Sequence, residues 1–126
     1  MKDRKHKILC IDDDQETLDL LRIALESGGY DVVEALTAEE GVKTYKAEKP
    51  DLIIVDLMME EIDAGTTFTE RLKGMGNTAP VFMLSSVGDS LGNQADYSNL
   101  GLAGIFQKPI EPSTFLPTIK KRLTKK

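Results

Sequence analysis

The chain has 126 residues, of which 40% are hydrophobic and 29% charged; that is enough for one domain with a core, and too balanced for a disordered tract. Its apolar runs are too short to span a bilayer as a helix, and the polar opening Met1 to Lys7 has neither a signal-peptide core nor a cleavage site. The net charge of −5 conceals basic ends: Met1 to Lys7 and Lys120 to Lys126 carry nine of the sixteen basic residues, leaving −13 between Ile8 and Ile119, which would repel a phosphate backbone and makes nucleic acid a poor partner for the body.

Read in chain order, short apolar runs alternate with amphipathic stretches. Ile8-Leu9-Cys10-Ile11 is a β-branched run that leads into Asp12-Asp13-Asp14, after which Leu18, Leu21 and Leu25 recur at helical spacing up to Gly28-Gly29. Cys10, the single cysteine, excludes an internal disulfide and fits a buried, inert thiol in a cytoplasmic protein. Val32-Val33 predicts a second strand, and Thr37-Ala38-Glu39-Glu40 has capping-box spacing for a helix that must end before Pro50. Leu52-Ile53-Ile54-Val55 is apolar on both faces, as a strand buried between helix layers must be. Thr66 to Leu72 predicts the next helix, and Val81 to Leu84 the next strand. Asp89 to Leu100 follows with weak helix propensity. Ile105-Phe106 marks the last strand; Phe115, Leu116, Ile119 and Leu123 mark a final helix that Pro117 either kinks or delays until near Leu116. Five strands alternating with helical segments predict an α/β fold, a doubly wound five-stranded parallel sheet with helices on both faces, in a single domain over residues 1–126 with no output domain.

In such sheets ligands bind outside the carboxyl ends of the strands. Asp12-Asp13 follow the first run, Asp56 the third, Ser85-Ser86 the fourth and Lys108-Pro109 the fifth. Three carboxylates in one crevice repel one another unless a cation neutralises them; oxygen-only ligands select hard cations, and a site of two or three carboxylates with waters suits octahedral Mg²⁺ better than a closed calcium cage. Asp56 is then suited to attack a phosphoryl group, with the Lys108 ammonium and the Ser85 hydroxyl placed to hold phosphoryl oxygens. Asp14 fits a helix N-cap, a role open also to Asp12 or Asp13. The lone histidine, His6, reads as a surface residue of the basic N-terminal stretch.

On these residues the sequence resembles, from Lys7 to Leu123, the receiver domain of two-component response regulators. The resemblance implies a flavodoxin-like strand order 2-1-3-4-5, an order the chemotaxis regulator of this family illustrates. It also implies Mg²⁺ held by Asp12, Asp13 and Asp56 with the backbone carbonyl of Met58. Asp56 matches the phosphoacceptor, Lys108 the phosphoryl-contacting lysine, Ser85 the switch hydroxyl and Ser86 the small residue beside it. By the same resemblance the phosphate donor is a histidine on a sensor histidine kinase or a histidine phosphotransfer protein, and the output is binding to a downstream protein target. Nothing suggests direct nucleic-acid or membrane contact, and a homodimer through the last helices stays open. The protein would then catalyse only its own phosphorylation and dephosphorylation, without being an enzyme for a separate substrate.

The chain departs from the family pattern in two places. Met59-Glu60-Glu61-Ile62-Asp63-Ala64-Gly65 lacks the usual proline and shifts the glycine by one, and Ile105 stands where the family has its switch aromatic, with Phe106 one place later at a core position. Met58 and Val87 match the two variable positions that tune dephosphorylation; both are apolar, which implies a long-lived phosphoryl group. Two competing readings are a phosphorylation-independent, receiver-like binding module and a phosphohydrolase of the haloacid dehalogenase type, for which no substrate-capping insertion is visible.

Overall fold

A computed structural model describes residues 6–56, 71–85, 103–107 and 111–124. Strand β1 (Lys7–Ile11) leads into helix α1 (Gln15–Ser27), followed by β2 (Asp31–Ala35), α2 (Ala38–Glu48) and β3 (Leu52–Asp56). After a helical turn at 71–74 come β4 (Val81–Ser85), β5 (Gly104–Gln107) and the C-terminal helix (Pro112–Thr124). The five strands form one sheet in the order β2-β1-β3-β4-β5, and every pairing is parallel. Of the predicted segments, Asp89 to Leu100 and most of Thr66 to Leu72 lie outside the described residues.

The alternation of side chains along each strand divides the core in two. Ile8 and Cys10 point to the same side as Leu52, Ile54, Phe82 and Leu84, where Leu18, Leu21 and Leu25 of α1 and Phe115 and Ile119 of the C-terminal helix cover them. Leu9 and Ile11 point the other way with Ile53, Val55, Val81 and Met83, under Val42 of α2 and Leu72. Burial on both faces explains why β3 is apolar from Leu52 to Val55, whereas β2, at the sheet edge, has Asp31 exposed.

Local chemistry sets the helix ends. Asp14 caps α1: its side chain accepts from Glu16 N at 3.1 Å and from Thr17 Oγ1 at 3.1 Å. The far end of α1 is closed by Tyr30 N donating to Leu25 O at 3.1 Å, across Gly29, whose φ of 94° suits a residue without Cβ. Thr37 caps α2 by accepting from Glu40 N at 3.0 Å. Glu40 in turn reaches past the expected capping-box partner to accept from Leu36 N at 3.1 Å. The C-terminal helix begins at Pro112 and not near Leu116, with Pro117 inside it. Its first turn is anchored by Glu111 O, which accepts from Thr114 N and Phe115 N, and Pro112 occupies the first helical position, where a missing N–H costs nothing.

Candidate functional site

Strand register brings the predicted acids together. Ile11 pairs with Val55, so the next residues on these neighbouring strands, Asp12 and Asp56, emerge side by side at the carboxyl rim of the sheet. Asp12 N donates to Ala35 O at 3.1 Å, which ties the start of this loop to β2, and Asp12 Oδ1 accepts from Asp14 N at 2.9 Å. Carboxylate oxygens of Asp12, Asp13 and Asp56 lie within 4.8 Å of one another. Asp12 and Asp56 are 0% and 5% exposed while Asp13 is open to solvent, so the cluster has a buried floor and one side facing water.

The donor set fits a hard divalent cation. It offers only oxygen, it combines three negative charges in a space one ion could bridge, and its open side leaves room for further oxygen ligands. Asp14 does not belong to it, because both its carboxylate oxygens are engaged in capping α1. The assignment left open by the sequence is thereby resolved: Asp14 is the cap, and Asp12 and Asp13 are the rim acids. Thr17, buried and donating to Asp14, is a residue the sequence reading passed over; the Asp-x-x-Thr spacing at a helix start was its signal.

Asp56 pairs with Leu84, which puts Ser85 one residue further along β4 at the same rim, level with Gln107 of β5. Met58, Ser86, Val87 and Lys108 lie outside the described residues. Ile105, paired with Met83, is half-buried in the cluster under α2, whereas Phe106 points to the opposite core. There its ring stacks on Phe82 with centroids 5.0 Å apart and meets Phe115 edge-on at 4.8 Å, so Phe106 is a core ring and not a rim ring. Beneath the site, burial pushes the Cys10 thiol well above its ordinary value, with the Glu34 and Asp12 carboxylates adding to the effect, so it stays a neutral packing group.

A doubly wound parallel sheet with these three acids at its carboxyl rim defines the class of CheY-like signalling domains. Residues 8–120 match the response regulator receiver domain, and the chain belongs to that family of two-component signal transduction proteins. It is 34% identical over 106 residues to the alkaline phosphatase synthesis transcriptional regulatory protein PhoP of Bacillus subtilis (strain 168), covering 84% of this chain and 43% of that protein. It is also 34% identical over 119 residues to the DNA-binding dual master transcriptional regulator RpaA of Synechocystis, covering 93% of this chain and 48% of that protein. The chain thus spans about half the length of these curated relatives. Among solved structures, it matches the CheY-like response regulator receiver domain protein of Methanospirillum hungatei JF-1 with a TM-score of 0.86 and 30% identity, over 96% of this chain and 95% of the other. The BeF3-activated receiver domain of Klebsiella pneumoniae RstA matches with a TM-score of 0.84 and 27% identity, over 94% and 99% of the two chains. Among the described residues no helix is long and apolar enough to cross a membrane.

Proposed function

We propose that this receiver is operated by phosphorylation of Asp56 in the cytoplasm, with a phosphohistidine of a sensor histidine kinase or a histidine phosphotransfer protein as donor. The observation that carries the reading is the cluster itself: Asp56, nearly buried at the end of β3, has two further carboxylates within 4.8 Å on the loop from the neighbouring strand. In the transfer an Asp56 carboxylate oxygen forms a bond to phosphorus as the donor's N–P bond breaks, and the imidazole keeps the electron pair and takes up a proton. Asp12, Asp13 and Asp56, with the Met58 carbonyl, would hold Mg²⁺, which when bound supplies positive charge to offset the three carboxylates and the incoming phosphoryl oxygens. Lys108 and Ser85 hold phosphoryl oxygens, and Ser85, Ser86 and Ile105 form the switch that passes the change to a surface for a downstream protein target. Hydrolysis of the acyl phosphate by water restores the carboxylate and releases phosphate. The chain therefore turns over its own modification and no separate substrate, which favours a signalling switch over a phosphohydrolase.

Intact-mass spectrometry after incubation with acetyl phosphate, with and without Mg²⁺, tests this reading on the parent chain and on Asp56→Asn. One phosphoryl adduct that requires both Mg²⁺ and Asp56 is expected. An adduct retained in Asp56→Asn would mean another nucleophile, and no adduct on folded parent protein would favour a phosphorylation-independent module.

A further inference from the structure

Helix α1 buries Thr17, Leu18, Leu21, Ala24 and Leu25, and of these Thr17 alone has a polar side chain. An apolar residue of similar size would fill position 17, which is 9% exposed, without taking a hydroxyl out of water. The hydroxyl has a specific partner. Thr17 Oγ1 donates to Asp14 Oδ2 at 3.1 Å, and Glu16 N donates to Asp14 Oδ1 at 3.1 Å. One such bond would let the Asp14 carboxylate pivot about it; two donors from the same helical turn, one on each oxygen, hold it against α1.

Asp14 in turn holds the rim acids. Its backbone N–H donates to Asp12 Oδ1 at 2.9 Å, and its carbonyl accepts from Leu18 N at 3.2 Å, where the helical ladder opens. On its other side Asp12 is tied to β2, through its own N–H and Ala35 O. The turn Asp12-Asp13-Asp14 is thus pinned to the sheet at one end and to α1 at the other, with the exposed Asp13 between the two pins. Leu18, Leu21 and Leu25 fix α1 itself in the core. Two hydrogen bonds therefore connect the Thr17 hydroxyl to the Asp12 carboxylate through one residue. The same contact sorts three consecutive aspartates: with both its oxygens engaged on the helix, Asp14 stays out of the acid cluster, and Asp12 and Asp13 are left to form it with Asp56.

We infer, on the reading that Asp12, Asp13 and Asp56 hold Mg²⁺, that Thr17 is a positioning residue of that site: acting through Asp14, it fixes the direction in which Asp12 and Asp13 present their carboxylates to the ion. Removing a hydrogen bond that orients a metal ligand commonly lowers affinity by about 10–100-fold, and Thr17 acts one bond further out, so an effect of at least about threefold is expected.

Titration of the full chain with MgCl₂, followed through its backbone amide resonances, measures the Mg²⁺ dissociation constant of the folded protein. Stability in EDTA is not the readout, because loss of a cap contact lowers it whatever Thr17 does for the ion. Thr17→Val, which keeps the shape and removes the hydroxyl, should raise the dissociation constant at least about threefold, and Thr17→Ala should do the same as a second variant. Thr17→Ser, which restores the hydroxyl, should stay within about 1.5-fold of the parent. Asp14→Asn keeps an oxygen for Glu16 N but puts an amide, which cannot accept, in place of the other oxygen. In that background Thr17→Val should change the constant by less than about 1.5-fold, since the residue through which it acts is already disconnected. Parent-like Mg²⁺ binding in Thr17→Val and Thr17→Ala, a Thr17→Ser protein as weak as Thr17→Val, or an undiminished effect of Thr17→Val in Asp14→Asn would each overturn the positioning role and leave the Mg²⁺ reading standing. A folded parent that binds no Mg²⁺ would overturn both.

Discussion

Asp12 and Asp56 are two buried carboxylates whose oxygens lie no more than 4.8 Å apart. At an effective dielectric near 20 such a pair repels by about 3 kcal/mol, so folding without a cation holds together charges that would separate in the unfolded chain. Neighbouring groups offset part of this repulsion. Asp56→Asn is therefore expected to raise the free energy of unfolding by about 1–3 kcal/mol in EDTA, while abolishing the phosphoryl adduct. Adding Mg²⁺ should stabilise the parent more than the variant, since only the parent offers all three carboxylates. Urea denaturation of both proteins, in EDTA and in Mg²⁺, checks this; a variant less stable than the parent in EDTA would show that the hydrogen bonding of Asp56 outweighs the repulsion. The acid set was legible from position alone, because Asp12-Asp13 and Asp56 directly follow the two most apolar runs. The division of labour among Asp12, Asp13 and Asp14 was not, since three consecutive aspartates differ only in the direction each side chain takes at the turn.

At the scale of the element, α2 shows what the sequence encodes locally and what it leaves to context. Its start is fixed by Thr37, whose side chain accepts from Glu40 N, and its end by Lys49, which adopts φ 49° in the left-handed region that glycine enters more readily. Thr37→Ala should cost about 1 kcal/mol, and Lys49→Gly should stabilise by about 0.5–1 kcal/mol. Thermal unfolding of each variant measures both signs; a loss of stability in Lys49→Gly would mean that the lysine side chain contributes more than its backbone strain removes. The strands and the first two helices could be read from periodicity and caps, because β1 and β3 contain the unbroken apolar runs Ile8 to Ile11 and Leu52 to Val55 and α1 repeats Leu18, Leu21 and Leu25 on one face. The C-terminal helix was harder. Pro117 argues locally for a late start, but Phe115 and Ile119 must both reach the core, and Glu111 and Pro112 supply a competent helix start four residues earlier than Leu116. Long-range pairs such as Arg22 with Glu34 and Lys7 with Glu48 leave no local signal, since their partners meet only once β1 and β2 are aligned or α2 has turned back toward β1.

For the whole molecule, the sheet is both the support of the site and the wall between two cores. Alternate residues of one strand serve opposite layers: Leu9 packs with Ile53 and Val42, while Cys10 packs with Ile54 and Leu18. The acidic rim belongs to both layers at once, because the loop after β1 enters α1 on one face while Asp12 N is bound to Ala35, whose side chain packs in the core under α2. A change at Asp56 can therefore act on either layer only through the rim or through bending of the sheet. Ile119→Val in one core and Ile53→Val in the other should each cost about 0.5–1.5 kcal/mol. With the backbone sheet between them, the double variant should equal the sum within about 0.5 kcal/mol. Urea denaturation of the two single variants and the double variant measures the coupling. A larger coupling would mean that the strands transmit packing strain from one face of the sheet to the other.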